Sequence, residues 1–326
     1  MAKIDDSVKK KVPELRFPGF TDDWEERKFA DFIDVKSGKD YKHLNSGSIP
    51  VYGTGGYMLS VDRALSDIDA IGIGRKGTID KPYLLKAPFW TVDTLFYAVP
   101  KQNIDLQFSL SIFKKINWKK FDESTGVPSL SKTVINSVGA SVPSYEEQQK
   151  IGSFFKQLDE TIALHQRKLD LLKEQKKGYL QKMFPKNGAK VPELRFAGFA
   201  DDWEERKLSD IVVRLTKSSN NNQLPKVEFE DIIAGEGRLN KDISRKFDDR
   251  KGTLFEPDNI LYGKLRPYLK NWLFSDFKGI ALGDFWVFKS KNSEPKFVYS
   301  LIQADNYQRV ANDGSVAKFE NQTRPF

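Results

Sequence analysis

The chain has 326 residues, of which 39% are hydrophobic and 13% aromatic, and its formal net charge is +8 at pH 7. It contains no cysteine, which excludes disulfides, thiolate zinc sites and cysteine nucleophiles. Its sequence has no apolar run long enough to span a bilayer, and its start, MAKIDDSVKKKVPELRF, lacks the apolar stretch of a secretory signal. We therefore expect a cytoplasmic protein with no membrane partner. The length favours two domains, and the positive charge permits nucleic-acid binding without requiring it.

An internal repeat organises the sequence. VPELRFPGFTDDWEERK at 12–28 returns as VPELRFAGFADDWEERK at 191–207, with only two differences. A repeat of this length indicates two copies of one structural unit. After each copy come, in the same coarse order, two strand-like segments, a helical segment and a glycine turn. The expected strands are 68–73 and 89–99 in the first copy and 259–262 and 280–288 in the second, and the helices lie near 106–116 and 295–308.

The longest predicted element is one helix at 144–184. Ser144 and Glu147 form a capping-box pattern at its start, and Pro185 ends it. Apolar residues recur every 3.5 residues on average, which is typical of a coiled-coil seam that another helix covers. The alternative is an ordinary core helix of a single globular domain. The predicted subunit interface on this seam consists of Ile151, Phe155, Leu158, Ile162, Leu169, Leu172 and Tyr179.

These patterns predict a mixed α+β protein with two similar domains joined by a long coiled-coil-type helix. The predicted boundaries are 1–143 for the first domain, 144–186 for the spacer helix and 187–326 for the second domain. The second copy ends at GSVAKFENQTRPF without a counterpart of the long helix. We therefore expect either a truncated chain or a seam that another chain covers.

Motifs for catalysis are weak. GIGRKG at 72–77 matches the GxGxxG pattern, but no helix is predicted after it, so a hairpin turn that exposes Arg75 and Lys76 is the better interpretation. A faint PD-ExK order at 257–296 has no equivalent in the first copy. The two histidines, His43 and His165, are widely separated, and neither Asn-Pro-Pro nor Asp-Pro-Pro is present. We predict no catalytic residue and no metal site.

Basic and aromatic residues alternate at matching places in the two copies. Arginine and lysine contact phosphates or guanine edges, and tyrosine bonds phosphate or stacks. A solvated surface is the alternative for any one of them, but Arg75 and Lys76 match Lys264 and Arg266 across the repeat. FKKINWKKF at 113–121 is a weaker candidate, because its apolar residues could face the core. The predicted DNA-binding residues are Lys39, Tyr41, Lys42, Tyr57, Arg75, Lys76, Lys217, Lys264, Arg266 and Tyr268.

Three sequence blocks are shared with a known family. They are the repeated PELRF, GF and DWEERK segment, the stretch STGVPSLSK followed by VPSYEEQQKIGSFFKQLDETI, and YGKLRPYL. On these blocks the chain is similar to the specificity subunits of type I restriction-modification systems. The resemblance implies two target-recognition domains held apart by paired helices, each recognising half of a split sequence in double-stranded DNA. The chain departs from the family pattern because it lacks the second conserved helix, which bears on whether it assembles two methyltransferase subunits alone.

The resemblance also implies that catalysis and cofactors belong to partner chains. Methyltransferase subunits would use S-adenosylmethionine, and restriction/translocase subunits would use ATP and magnesium, so no cofactor is expected on this chain. We predict a non-catalytic, sequence-specific DNA-binding subunit that directs methylation and cleavage by its partners. The alternatives are a self-contained nuclease or methyltransferase, and a protein-interaction scaffold with no role on DNA.

Overall fold

The computed structural model describes residues 13–186, 189–204, 206–244, 248–265, 267–304 and 307. The chain divides into two compact units, unit 1 at Met1–Arg167 and unit 2 at Lys168–Phe326. The division falls inside the long helix. Each unit combines mainly antiparallel sheets, with one parallel strand pair each, and short helices, so the predicted mixed α+β class with two domains joined by a helix is confirmed. The predicted domain boundaries at 143/144 and 186/187 stay predictions.

Unit 1 is built on a four-stranded antiparallel sheet in the order β2-β8-β5-β6, beside a smaller sheet in the order β4-β3-β7 and the pair β1-β9. Its elements are β1 (Glu25–Lys28), α1 (Phe29–Phe32), β2 (Ile33–Ser37), β3 (Ser46–Gly53), β4 (Gly56–Val61), β5 (Ala70–Gly74), β6 (Tyr83–Leu85), β7 (Trp90–Thr91), β8 (Leu95–Pro100), α2 (Leu106–Lys115), α3 (Lys132–Ser137), β9 (Gly139–Val142) and the start of α4 (Tyr145–Lys182).

The core of unit 1 lies between its four-stranded sheet and the short helices. All five residues of β5 are buried, as expected for a central strand covered on both faces. Trp118 is fully buried against Phe113, and its indole Nε1 donates to the Phe113 carbonyl at 2.7 Å. Phe113, Ile116 and Trp118 of FKKINWKKF therefore face the core, whereas Phe121 is 37% exposed and Lys119 pairs with Asp80 at the surface.

Unit 2 repeats the central sheet of unit 1. Its four-stranded antiparallel sheet has the order β10-β19-β16-β17, a second sheet has the order β11-β15-β18-β12, and β13 pairs with β14. After the end of α4, the described elements are α5 (Leu208–Ile211), β10 (Val212–Leu215), β11 (Ser218–Ser219), β12 (Lys226–Val227), β13 (Ile232–Ile233), β14 (Arg238–Leu239), β15 (Gly252–Phe255), β16 (Ile260–Gly263), β17 (Trp272–Phe274), β18 (Gly279–Ala281), β19 (Phe285–Ser290) and α6 (Pro295–Gln303).

The register of the central strands makes the two units equivalent residue by residue. In unit 1 the last residue of β5, Gly74, lies opposite Leu95, the first residue of β8. In unit 2 the last residue of β16, Gly263, lies opposite Phe285, the first residue of β19. The two glycines therefore occupy one position of a shared framework, and the residue after each glycine can be compared directly.

The structure corrects two predicted strands. The segment 89–99 is not one strand but two, β7 and β8, which belong to different sheets, and 280–288 divides in the same way into β18 and β19. Between β18 and β19, Gly283 has φ +76°, a conformation that a side chain disfavours. The change of sheet is not evident from hydrophobicity, because the apolar residues on both sides of each turn are buried.

The long helix α4 has 38 residues and a length of about 57 Å. Its buried residues are only Glu147, Gln148 and Gly152, all near its start. The Ser144 hydroxyl accepts from the Glu147 backbone N–H at 3.4 Å, as predicted, but the Glu147 carboxylate does not return the bond. It binds the Arg16 guanidinium instead. In the described part of the chain, every helix is too short or too polar to cross a membrane.

Candidate nucleic-acid interface

The loop after β5 is the centre of the candidate site in unit 1. The backbone N–H groups of Arg75 and Lys76 both donate to the Thr94 carbonyl, at 2.8 and 3.2 Å. On the other side, Leu130 N–H donates to the Arg75 carbonyl at 2.9 Å. No helix follows this GxGxxG match: the chain turns toward β6, and Gly77 has φ +96°. Both side chains are exposed on a loop whose backbone is fixed from two directions.

The Arg75 side chain is positioned by the start of β8 and by the turn that precedes it. Its guanidinium carbon lies 5.9 Å from the centre of the Phe96 ring, and Nη1 donates to the Asp93 carbonyl at 3.4 Å. An arginine held over a ring face is partly ordered before it meets a ligand. Most of its five N–H donors remain available for a phosphate or for a guanine edge.

Other predicted residues gather around this loop. Lys39 is exposed, and its backbone N–H donates to the Thr91 carbonyl at 2.8 Å, in the turn that leads to β8. The hairpin turn between β3 and β4 also lies here, since the Thr54 hydroxyl is 3.7 Å from the position a Cβ would take on Gly77. Tyr57 follows that turn and is 63% exposed. We call this edge of unit 1, formed by segments 38–42, 54–57, 75–77 and 91–95, the unit 1 rim.

Two tyrosines, Tyr41 in the rim and Tyr83 in β6, are less available. Tyr41 is half-buried against the smaller sheet of unit 1, while its neighbour Lys42 is exposed. Tyr83, which the sequence did not indicate, donates its hydroxyl to the Gly53 carbonyl at 2.6 Å and fixes the end of β3. Burial raises the pKa of Tyr83 well above its usual value, so the hydroxyl remains a donor at neutral pH.

Unit 2 places Lys264 at the position of Arg75. Lys264 directly follows Gly263, and its backbone N–H donates at 2.9 Å to the carbonyl of Asp284, the residue before β19. Arg75 makes the same bond to Thr94, the residue before β8. The predicted correspondence is therefore refined: Arg75 matches Lys264, and Lys76 matches Leu265. Arg266 lies outside the described residues.

The two equivalent cations differ in their surroundings. Lys264 Nζ lies 2.9 Å from Asp284 Oδ1, so this position in unit 2 presents a donor and an acceptor side by side. Arg75 instead faces a backbone carbonyl and an aromatic ring. Asp284 was missed by sequence reasoning, although its place in LGDF, immediately before a buried strand, matches that of Thr94 in VDTL.

The remaining predicted residues of unit 2 lie in separate segments. Lys217 is exposed just after β10, and its carbonyl accepts from Leu254 N–H at 2.8 Å. Tyr268 is 61% exposed in the short 3-10 helix Pro267–Leu269. No contact between the two side chains, or from either to the Lys264 side chain, is among the described interactions.

The predicted interface residues of α4 fall into three groups. Ile151 packs against the core of unit 1, and Phe155 lines a groove of that unit. Leu172 and Tyr179 line a groove of unit 2. The remaining three, Leu158, Ile162 and Leu169, line neither groove and are 42%, 66% and 41% exposed, while the groove-lining Phe155, Leu172 and Tyr179 are 46%, 49% and 46% exposed.

The described residues contain no group of three or more histidine, aspartate or glutamate side chains that could hold a metal ion. Glu294, part of the faint PD-ExK order, is the N-cap of α6 and accepts from Phe297 N–H at 2.8 Å. Its carboxylate therefore has a structural role at a helix start.

Part of the chain is similar to a known family. Residues 21–174 match the model of the type I restriction modification DNA specificity domain. The type I restriction enzyme MjaVIII specificity subunit of Methanocaldococcus jannaschii is 24% identical over 151 residues, which cover 45% of this chain and 33% of that protein. The chain thus spans about one third of the length of this curated relative.

The fold is also known. The crystal structure of the type I restriction-modification system S subunit from M. genitalium matches with a TM-score of 0.64 and 16% identity, over 93% of this chain and 83% of that one. At this identity the match concerns the fold alone. Residues 21–174 are therefore similar to the type I restriction modification DNA specificity domain, and the chain as a whole shares the fold of a type I S subunit.

Proposed function

We propose that the chain is the specificity subunit of a type I restriction-modification complex and that its two units recognise the two halves of a split DNA sequence. The observation that carries the proposal is the equivalence of Arg75 and Lys264. Two units with one framework place a basic residue at the same position, with the same backbone hydrogen bond, in different surroundings. Such an arrangement suits two recognition domains that share a docking mode and differ in the bases they select.

The chemistry at this position suggests the kind of base that each unit contacts. A guanidinium offers two parallel donors, which fit the O6 and N7 acceptors of guanine in the major groove. A lysine beside a carboxylate offers a donor and an acceptor, which fit an edge such as adenine N7 with N6–H₂. The neighbouring Lys39, Lys42 and Lys76 of the unit 1 rim would bind phosphates and set the orientation.

In this proposal the chain has no catalytic residue and binds no cofactor. Methyltransferase subunits with S-adenosylmethionine, and restriction/translocase subunits with ATP and magnesium, would carry out the reactions. The curated relative is a specificity subunit of a type I restriction enzyme, which supports such partners. The exposed apolar residues Leu158, Ile162 and Leu169 on α4 provide a surface for them.

The test is selection of bound sequences from a randomised duplex by the purified chain. We expect a split consensus, of which Arg75→Ala relaxes one half and Lys264→Ala the other, each by about 1 to 3 kcal/mol. Lys101→Ala and Lys291→Ala are matched controls, because these lysines follow the opposite ends of β8 and β19. Both controls should leave the consensus unchanged.

Three results would contradict the proposal. Equal weakening on all sequences by Arg75→Ala would make Arg75 a phosphate contact. Cleavage or methyl transfer by the chain alone, with metal or S-adenosylmethionine added, would favour a self-contained enzyme. An absence of salt-dependent DNA binding would favour a protein-interaction scaffold.

A second test concerns α4 as a spacer between half-sites. Residues 160–171 of the helix are all exposed, whereas its two ends contact unit 1 and unit 2 residues respectively. Inserting four residues after Leu164, about one helical turn, should change the number of base pairs between the two half-sequences and leave each half-sequence unchanged. An unchanged gap would refute a spacer role.

A further inference from the structure

The connection between β16 and β17 of unit 2 exposes apolar side chains. We call its described residues, 264–265 and 267–270, the unit 2 loop. Outside α4 and the repeated segment, the exposed large apolar side chains among the described residues of unit 2 are Val213, Leu265, Tyr268, Leu269 and Phe297. Three of these lie in the unit 2 loop, where Leu265 is 53%, Tyr268 61% and Leu269 41% exposed. Apolar side chains that gather at one place on a surface commonly mark a contact with another molecule.

Hydrogen bonds fix the backbone of the unit 2 loop. At its base, Gly263 N–H donates to the Asn271 carbonyl at 2.7 Å. Near its end, Lys270 N–H donates to the Pro267 carbonyl, and the Lys270 carbonyl accepts from Gly235 N–H, both at 2.9 Å. An ordered backbone therefore holds the apolar side chains at the surface, which lowers the entropic cost of a contact made there.

The charge of the unit 2 loop favours DNA as the molecule that it contacts. Its sequence, KLRPYLK at 264–270, has three basic residues and no acidic one. Basic residues on both sides of an apolar surface suit a polyanion whose interior carries apolar groups, and they oppose burial against an apolar protein surface.

Leu265 is the apolar residue nearest to the pair that we assign to base recognition. It follows Lys264, whose Nζ lies 2.9 Å from Asp284 Oδ1. It is also the counterpart of Lys76 in the unit 1 rim, because Gly74 and Gly263 occupy one position of the shared framework. A cation at this position suits a phosphate, whereas a leucine forms no hydrogen bond and is stabilised only by leaving water.

The apolar group that the major groove presents is the C5-methyl of thymine. We propose that Leu265 is a specificity-determining residue of unit 2, which packs against a thymine methyl beside the base contacted by Lys264 and Asp284. The inference rests on the proposed function, since it adds one contact to the same site. Leu265 then selects thymine at a base pair that the donors and acceptors of unit 2 do not have to distinguish.

The test uses the duplex that the full chain selects and the half-sequence that Lys264→Ala relaxes. Each thymine of that half is replaced in turn by deoxyuridine, which removes only the methyl group. We expect binding to weaken at one position by about three- to fivefold, the effect of burying one methyl. With Leu265→Ala, thymine and uracil at that position should bind equally.

Three variants make the test specific. Val213→Ala is the matched control, because Val213 is 46% exposed in unit 2 but lies opposite Lys289, at the other end of the central sheet. It should keep the preference for thymine over uracil. Leu265→Met, which keeps an apolar side chain of similar size, should also keep it. Leu265→Lys should lose the preference and steepen the salt dependence of binding by about one phosphate contact.

Three outcomes would overturn the proposal and leave the proposed function intact. The first is a selected half-sequence without thymine in either strand, and the second is equal binding of thymine and uracil at every position by the unchanged chain. The third is a preference for thymine that Leu265→Ala leaves unchanged, which would assign the unit 2 loop to a protein partner. A chain that selects no split sequence would overturn the proposed function, and this inference with it.

Discussion

The two units share a framework and differ in two regions. Their central sheets have the same strand order and the same register at the glycine that ends β5 or β16. Their second sheets differ: three strands in unit 1, with the β3–β4 hairpin at the rim, and four strands in unit 2. Their grooves also differ, since unit 1 holds the start of α4 and unit 2 holds its end.

The location of each difference is informative. Variation in the second sheet leaves the buried central sheet unchanged, so the surface around Arg75 or Lys264 can change without loss of the core. The groove of unit 1 is lined by Arg16, Trp24 and Phe108 and that of unit 2 by Arg195, Trp203 and Phe297, while the start of α4 lines the first groove and its end lines the second.

The largest expected difference concerns the equivalent residues Phe108 and Phe297. Phe108→Ala should destabilise unit 1 by about 3 to 5 kcal/mol, because it opens a cavity at a fully packed position. Phe297→Ala should cost unit 2 only roughly 1 to 2 kcal/mol, since part of the ring already faces solvent. Hydrogen exchange in increasing denaturant, followed separately in each unit, measures both values. Equal costs would contradict the view that only the unit 1 position is covered.

A second comparison uses the two equivalent arginines. Arg16→Met removes the partner of the buried Glu147 carboxylate, so we expect a clear fall in the denaturation midpoint of unit 1 and faster exchange at the start of α4. Arg195→Met should leave unit 2 unchanged. The bond to Glu147 also raises the pKa of Arg16 above its usual value. A fall in unit 2 stability with Arg195→Met would reveal a partner for Arg195 in the chain.

The third prediction concerns Asp284, whose carboxylate lies beside Lys264 in unit 2, where unit 1 has Thr94. Asp284→Asn removes the carboxylate beside Lys264, so DNA affinity should rise roughly two- to fivefold, the effect of an exposed charge pair. The preference for adenine at that position should weaken, because the charged acceptor for adenine N6–H₂ is lost while the Lys264 donor remains. Asp276→Asn, near the opposite end of β16, is the control, and selected sequences provide the measurement. An unchanged consensus would separate Asp284 from base recognition.

The smallest expected effect is a pH dependence in the region where the second sheets differ. Arg250 Nε donates to Oδ1 and Oδ2 of Asp248 at 3.1 and 3.0 Å. These hydrogen bonds from Arg250 lower the pKa of Asp248 to about 2. Because this folded-state pKa lies below the usual value near 4, the stabilisation is complete above about pH 4 and is lost as the pH falls toward 2. Asp248→Asn should lower the urea midpoint of unit 2 at pH 7 and remove this part of its acid sensitivity. Unit 1 should show neither change.

Several features could be predicted from particular residues. Ser144, Glu147 and Pro185 marked the ends of α4 to within two residues, because caps and breakers act locally. The exposure of Arg75 and Lys76 followed from the glycines around them. The division of 89–99 into two strands could not be predicted, because hydrophobicity records burial and not the sheet to which a strand belongs.

The sequence by itself determined that the chain contains two copies of one unit, that a long helix follows the first copy, and that basic and aromatic residues recur at related places. Only the tertiary structure decided that Arg75 corresponds to Lys264, that Asp284 lies beside it, and that Glu147 binds Arg16 instead of completing its own helix cap. The physical reason is distance along the chain. Repeats, caps and periodicity are written in neighbouring residues, whereas strand register and the partner of a buried carboxylate depend on segments that only folding brings together.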